Sequence, residues 1–283
     1  ELKKRALLYG DWDVFEGRFF NEWRKSYHIL DTEFVFPANY ELYLSLDYGY
    51  SAPSACYWYC VDEYGIVTAY REEYITEAGY TELAEIISMK TPLNERLKIN
   101  IMVADPAIWG DVAKHGTSIK GENGAETMMR VLKEKGWNLN IIKADNRRVI
   151  GWGRMREYLK VVEINLREGT KKTPFLRFTK NCRNAIRTIP QLIFKDGSED
   201  CNTDGEDHSA DSVRYFLMSR PRSAKILIKK EKPEDEFEEL NRLRLEGITR
   251  DKKKGYRCVY RRLKAGEIYG MQTLINKNTI LLN

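Results

Sequence analysis

The chain has 283 residues, 42% of them hydrophobic and 31% charged, which allows a sizeable core and excludes a largely disordered polypeptide. No apolar run reaches the roughly 18 residues of a membrane-spanning helix, and a formal net charge of +5 favours an acidic partner only slightly over plain solubility. The five cysteines, Cys56, Cys60, Cys182, Cys201 and Cys258, are odd in number and match no zinc spacing. They read as reduced, buried thiols of a cytosolic protein, with Cys56 and Cys60 on one face of a strand.

The charged opening from Glu1 carries no secretory pattern and no initiator Met, so the sequence reads as part of a longer polypeptide. Residues 1–38 hold Gly10-Asp11-Trp12-Asp13-Val14-Phe15-Glu16-Gly17 and Arg18-Phe19-Phe20-Asn21-Glu22-Trp23 without a sustained period. They are expected to form a connecting segment whose aromatics pack on an upstream domain or on the domain that follows. His28 and His115 have no sequence partners and read as surface residues.

A β-rich block then begins. Tyr43-Leu44-Ser45-Leu46-Asp47-Tyr48-Gly49-Tyr50 reads as a strand ending on a carboxylate, where Gly49 and Pro53 break the pattern. Ser54 to Asp62 and Ile66 to Ile75 flank the acidic turn Asp62-Glu63-Tyr64-Gly65 as an antiparallel hairpin. Tyr80 to Met89 places Leu83, Ile86 and Ile87 on one helical face, with Thr81 as cap. Ile99-Asn100-Ile101-Met102-Val103-Ala104-Asp105-Pro106 is a second strand ending on an aspartate, closed by Pro106. Strand, helix, strand makes a crossover and implies parallel pairing.

Beyond it, residues 110–125 read as a glycine-rich loop, 126–135 as a helix ended by Gly136, 137–144 as a strand and 146–162 as a basic helix. Pro174 to Phe178 is short and extended, and Cys182 to Phe194 is helical with Pro190 interrupting it. The acidic loop from Lys195 to Gly205 leads into a last helix around Asp211, with Val213, Phe216 and Leu217 on one face and Asp207 or Ser209 as cap. After Pro221 the composition shifts. Residues 229–245 are charged throughout and fit a solvated helix, and 252–264 are strongly basic. The division is thus a connecting segment at 1–38, a main domain at 39–221 and a charged appendage at 222–283.

The chemistry concentrates where elements end. Parallel neighbouring strands lie about 4.8 Å apart, so Asp47 and Asp105 at adjacent strand ends suit a shared divalent cation. Converging carboxylates repel, and one should take up a proton more readily until a cation relieves the repulsion. Carboxylate oxygens and water suit Mg²⁺ or Mn²⁺, and little His or Cys points to zinc. Taken singly, Asp47 also fits a strand-end turn residue, Asp105 an Asp-Pro turn and Asp207 a helix cap. Asp211 stands apart because it lies inside the helical pattern, near an N-terminus that favours negative charge.

Three antiparallel strands, a helix, then alternating strands and helices resemble the ribonuclease H-like α/β fold, a mixed sheet flanked by helices. There, acidic residues come from the first strand, the fourth strand and a late helix, the places of Asp47, Asp105 and Asp211. Four motifs in order narrow the resemblance. Gly10-Asp11-Trp12-Asp13 with Glu16-Gly17, Leu46-Asp47-Tyr48-Gly49, Val103-Ala104-Asp105-Pro106-Ala107 and Asp207-His208-Ser209-Ala210-Asp211-Ser212-Val213-Arg214-Tyr215 look like the nuclease half of a tailed-phage terminase large subunit, over roughly residues 8 to 220.

The resemblance implies an endonuclease that cuts concatemeric double-stranded DNA during genome packaging. Two divalent cations, Mg or Mn, would be held by Asp47, Asp105 and Asp211, with Asp207 and His208 beside them. Partners would be double-stranded DNA, the portal protein and the terminase small subunit, in the host cytoplasm and transiently at the procapsid portal, with no membrane. The packaging ATPase of such proteins needs a phosphate-binding G-x-x-x-x-G-K-[ST] loop, which this sequence lacks.

Backbone phosphates call for basic groups. Lys143, Arg147, Arg148, Arg154 and Arg156 form one cluster in sequence, and Lys180, Arg183 and Arg187 another, with solvated surface as the alternative for any one of them. Lys252-Lys253-Lys254 and Arg261-Arg262 fit contacts to DNA or a capsid component, or a disordered tail. Two rival readings remain: a transposase, integrase or junction resolvase of the same fold, and a non-catalytic DNA-binding or docking module.

Overall fold

The computed structural model describes residues 17–110, 121–167, 169–202 and 205–220, and the backbone of Tyr256–Val259 and Gln272–Ile275. The motif at Gly10–Asp13, His115 and most of the glycine-rich loop, the charged segment 229–245 and the basic runs at 252–254 and 261–262 lie outside these residues. The chain divides into two compact units, Glu1–Ile226 and Leu227–Asn283. Within the second, Tyr256–Val259 pairs antiparallel with Gln272–Ile275.

The first unit is built on a seven-stranded sheet. In chain order its elements are α1 (Lys25–His28), β1 (Ile29–Leu30), β2 (Tyr40–Asp47), β3 (Ser54–Asp62), β4 (Val67–Ile75), α2 (Tyr80–Lys90), α3 (Leu93–Arg96) and β5 (Ile101–Ala104). There follow α4 (Gly124–Glu134), β6 (Asn140–Lys143), α5 (Arg148–Leu159), β7 (Val162–Leu166), β8 (Gly169–Thr173), β9 (Leu176–Thr179), α6 (Arg183–Thr188) and α7 (His208–Ser219). The strand order is β1-β9-β4-β3-β2-β5-β6, with β7 and β8 forming a separate hairpin. Strands β2, β3 and β4 pair antiparallel, and β5 and β6 add to β2 in parallel. That is the order expected of a ribonuclease H-like domain.

The period of two along each strand sorts the core into two layers. Leu42, Leu44 and Leu46 of β2 and Cys56, Trp58 and Cys60 of β3 face the layer of α2 and α4. Ala55, Tyr57, Tyr59 and Val61 face the other layer, with Trp152, Val213 and Phe216 of α5 and α7. Cys56, Cys60, Cys182 and Cys201 are free and buried. Burial on both faces explains why β3 reads as an unbroken apolar run.

Three local expectations are revised. Helix α2 starts at Tyr80 on Gly79, with no side-chain cap, so Thr81 lies inside it. Helix α4 begins at Gly124 and is fixed by a capping box between Asn123 and Glu126. His28 is not a surface residue but fully buried, because the end of α1 turns its ring onto Trp23 at 5.1 Å. Its Nε2 donates to the Leu159 carbonyl at 2.8 Å and its Nδ1 accepts from the Arg24 amide at 2.9 Å, and burial pushes its pKa below the usual histidine range.

The aromatics of the opening segment belong to this same unit. Phe19, Phe20 and Trp23 are buried in the layer of α5 and α7, and β1 pairs in parallel with β9. Truncating a buried aromatic costs about 3–5 kcal/mol. Trp23→Ala is expected to lower stability in urea by an amount of that order, whereas a loosely attached connector would tolerate it within about 0.5 kcal/mol.

Candidate metal centre

Asp47 ends β2, Asp105 follows β5 and Asp211 lies in the first turn of α7, near enough that their charges act on one another. Counting back by twos from Asp47, Ser45 lies on the layer that carries α7, and Ser45 Oγ stands 2.8 Å from Ser212 Oγ. Asp105 follows β5 directly: its amide donates to the Leu46 carbonyl at 2.9 Å, continuing the parallel register of Leu46 with Ala104. Its Oδ1 accepts from the Ala107 amide at 3.1 Å, capping the single turn Pro106–Trp109.

Helix α7 is seated by its residues at i, i+3, i+4 and i+7. The Tyr57 hydroxyl lies 2.9 Å from Ser209 Oγ and donates to Glu72 Oε2 at 2.8 Å, while Ser45 also bonds the Tyr59 hydroxyl at 2.9 Å. Val213 is buried, and the Phe216 ring stacks on Tyr59 at 4.1 Å and 6°. Ser209 is therefore a helix-interior anchor, not the cap. Asp207 takes the cap position without a cap hydrogen bond, because its carboxylate turns toward Arg148 at 3.4 Å.

Asp211 is gripped from both sides. Its Oδ1 accepts from Arg214 Nε at 2.9 Å and Nη2 at 2.7 Å, and its Oδ2 from Arg148 Nη1 at 3.0 Å. Arg214 is 1% exposed and lies between the rings of Trp152 and Tyr215 at 4.8 and 4.6 Å. Its stem crosses Gly151 so closely that a Cβ there would stand 2.6 Å from Arg214 Cγ. Arg148 Nε reaches Asp200 Oδ2 at 3.1 Å, and Asp200 also accepts from Trp152 Nε1 at 2.6 Å. Asp200 and Arg214 were missed in the sequence. Arg214 had a legible signal, its i+3 spacing from Asp211; Asp200 sits in an irregular loop and had none.

The electrostatics are those of crowded acids. Burial raises Asp47 to about 7, against the His208 hydrogen bond that lowers it, and Asp211 and Asp105 raise it further. Burial also lifts Asp105, opposed by the Ala107 amide and reinforced by Asp211, and burial lifts Asp207, with Asp211 adding to it. His208 Nδ1 stands 3.1 Å from Asp47 Oδ2, a contact that raises the imidazole pKa. The donor chemistry fits a hard divalent cation: carboxylate oxygens in one region of the fold, with raised pKa values. As the side chains lie, no three His, Cys, Asp or Glu among the described residues stand close enough to hold an ion, and both oxygens of Asp211 carry guanidinium contacts.

The basic residues take separate paths. Arg148 is in the acidic cluster. Arg154 donates to the Leu217 carbonyl at 2.6 Å, and Arg156 lies over the Phe19 ring at 4.4 Å. Arg147 pairs with Asp145 at 2.6 Å, Lys180 with Asp31 at 3.1 Å and Arg187 with Glu206. Lys143 lies 5.5 Å over Trp109, and Arg183 is exposed.

The sheet order is that of a ribonuclease H-like fold. Solved structures narrow the likeness. The chain superposes on the large terminase of a thermophilic bacteriophage, solved with ADP, at a TM-score of 0.53 and 19% identity, covering 75% of this chain and 46% of that one. It superposes on the P22 large terminase nuclease domain at a TM-score of 0.50 and 14% identity, covering 72% of this chain and 92% of that one. In fold, this is a terminase nuclease-like domain. The chain spans about half the length of the thermophilic phage protein. No family model matches it, and no curated protein matches it in sequence.

The raised acids set a pH dependence. A carboxyl whose folded pKa lies above its unfolded value binds a proton on folding, so its stabilisation is present below about pH 3.8 and is lost as pH rises through about 7. His208, also raised, acts in the same direction. In EDTA, Asp47→Asn is expected to gain on the wild type as pH rises from 5 to 8, reaching an advantage on the order of 2–4 kcal/mol, read from urea midpoints at each pH.

Proposed function

We propose that this chain is a metal-dependent endonuclease of phage genome packaging, acting on double-stranded DNA. The observation that carries the reading is the placement of Asp47 and Asp105 at the ends of two adjacent parallel strands and of Asp211 in the first turn of the helix docked on them. The fold likeness to terminase nuclease domains supports it. Asp47, Asp105 and Asp211 would hold two divalent cations, Mg or Mn, with Asp207 at the edge. Bound there, such cations activate the attacking water and neutralise charge on the leaving 3′ oxygen.

The chain's own residues prepare for that chemistry. Asp47 stands at a strand end, where the sheet fixes its backbone, and His208 orients its Oδ2. Ala107 fixes Asp105, and Arg214 fixes the inner oxygen of Asp211. Burial thins the water around all three, which strengthens each interaction at the reacting phosphate. Lys143, Arg147 and Arg183, exposed or stacked at the surface, supply contacts to backbone phosphates, and among the described residues no base-reading element accompanies them. The portal protein and small subunit are the partners this reading implies, in the cytoplasm of the host.

Plasmid cleavage with Mg²⁺, with Mn²⁺ and with EDTA tests the proposal. Metal-dependent nicking and linearisation that fall at least about a hundredfold in Asp47→Ala are expected. DNA retention without cleavage under either cation would point to a docking module, and preference for branched DNA or strand transfer to a resolvase or transposase.

A further inference from the structure

Arg148 is a cation already seated among the site's acids. Each of its guanidinium nitrogens faces a different carboxylate: Nε faces Asp200 Oδ2 at 3.1 Å, Nη1 faces Asp211 Oδ2 at 3.0 Å and Nη2 faces Asp207 Oδ2 at 3.4 Å. Its plane stacks on Trp152 at 5.2 Å. The two arginines on Asp211 differ in freedom. Arg214 is 1% exposed and walled in by two rings, whereas the Arg148 side chain is 29% exposed and opens α5 straight after the loop at 144–147. The inner oxygen of Asp211 is therefore permanently engaged, and the outer oxygen is the one another cation can reach.

A divalent ion binds a carboxylate oxygen at about 2.0–2.6 Å. With Arg148 on the same oxygen, two like charges would stand within about 4–5 Å in a poorly hydrated site, which strongly disfavours joint occupancy. Asp200 gives the displaced guanidinium a place to remain, because Trp152 Nε1 and the Cys201 amide hold that carboxylate at 2.6 and 2.8 Å. We infer that Arg148 is a positioning residue that competes with a divalent cation for Asp211 Oδ2 and withdraws toward Asp200 when the cation binds. The inference rests on the proposed cation site and adds a residue that sets the site's affinity.

Titration calorimetry with MnCl₂, without DNA or turnover, tests it. Arg148→Gln, checked for fold by circular dichroism, is expected to bind Mn²⁺ about tenfold more tightly than the wild type, and Arg148→Lys, which keeps the charge but loses the fork, should fall between them. Should Arg148→Gln not fold, the Arg148 Nε–H resonance of the ¹⁵N-labelled wild type decides. Mg²⁺ at saturation should shift it, and an unchanged resonance would overturn the competition. Equal or weaker Mn²⁺ binding by folded Arg148→Gln, alongside wild-type binding that Asp47→Ala abolishes, would overturn the competition and leave the nuclease reading standing. Absence of Asp47-dependent Mn²⁺ binding in both proteins would overturn both.

Discussion

Carboxylates that must share a cation repel one another, and a fold can hold them together only by fixing the backbones from which they project. In this chain the fixing element is the seat of α7 on the sheet. Ser45, Tyr59 and Ser212 form one buried hydroxyl chain, and the Ser209 and Tyr57 hydroxyls form a second that ends on the half-buried Glu72 carboxylate. Glu72 in turn accepts from the amides of Asn184 and Ala185 at the start of α6. These bonds are directional where the surrounding Phe216 and Val213 contacts are not, so they set the rotation and height of the helix. One turn of α7 either way would carry Asp211 about 5.4 Å from the strand ends.

The strands that position the site were legible because each carries a period of two and ends at a breaker. Gly49 and Pro53 close the β2 strand, and Pro106 closes β5. The α2 and α7 helices were legible from their apolar faces. Other elements were less legible. In the β7–β8 hairpin, Val162-Glu163-Ile164-Asn165-Leu166 does alternate, but it follows directly on the basic helix α5, and its partner Gly169–Thr173 is polar and largely exposed. Strand β1 has two residues and exists only because β9 offers an edge. The start of α4 was readable in Asn123-x-x-Glu126, the spacing of a capping box, inside a stretch whose glycines spoke for loop.

The three aspartates could be singled out because each stands where a regular element begins or ends. Two of their electrostatic partners, His208 and Arg214, lie in the same helix as Asp211 and were within reach of the sequence; the third, Arg148, comes from elsewhere in the chain. Arg148 precedes Asp211 by 63 residues, and as sequence it is one arginine in a basic run. Packing alone distinguishes it from Arg147, itself exposed and paired with half-buried Asp145, and from Arg154, whose guanidinium goes to a backbone carbonyl. A basic cluster in sequence thus becomes three different things in space: a member of the acidic centre, a surface ion pair and a structural clamp. Sequence separates charge from no charge; burial and orientation decide what the charge does.

The two arginines on Asp211 show how that decision is made. A buried charge without a partner is costly, and removing one member of a buried pair costs more than the pair contributes. Arg214, enclosed by Trp152 and Tyr215, therefore binds Asp211 obligatorily, and Gly151 is the residue that leaves room for its stem. Arg148 has solvent on one side and a second acid, Asp200, within its own fork, so giving up Asp211 leaves it neither buried nor unpaired. The same carboxylate thus has one oxygen committed to the fold and one free to exchange its partner. That asymmetry lets a structural ion pair and an exchangeable ligand coexist on a single side chain.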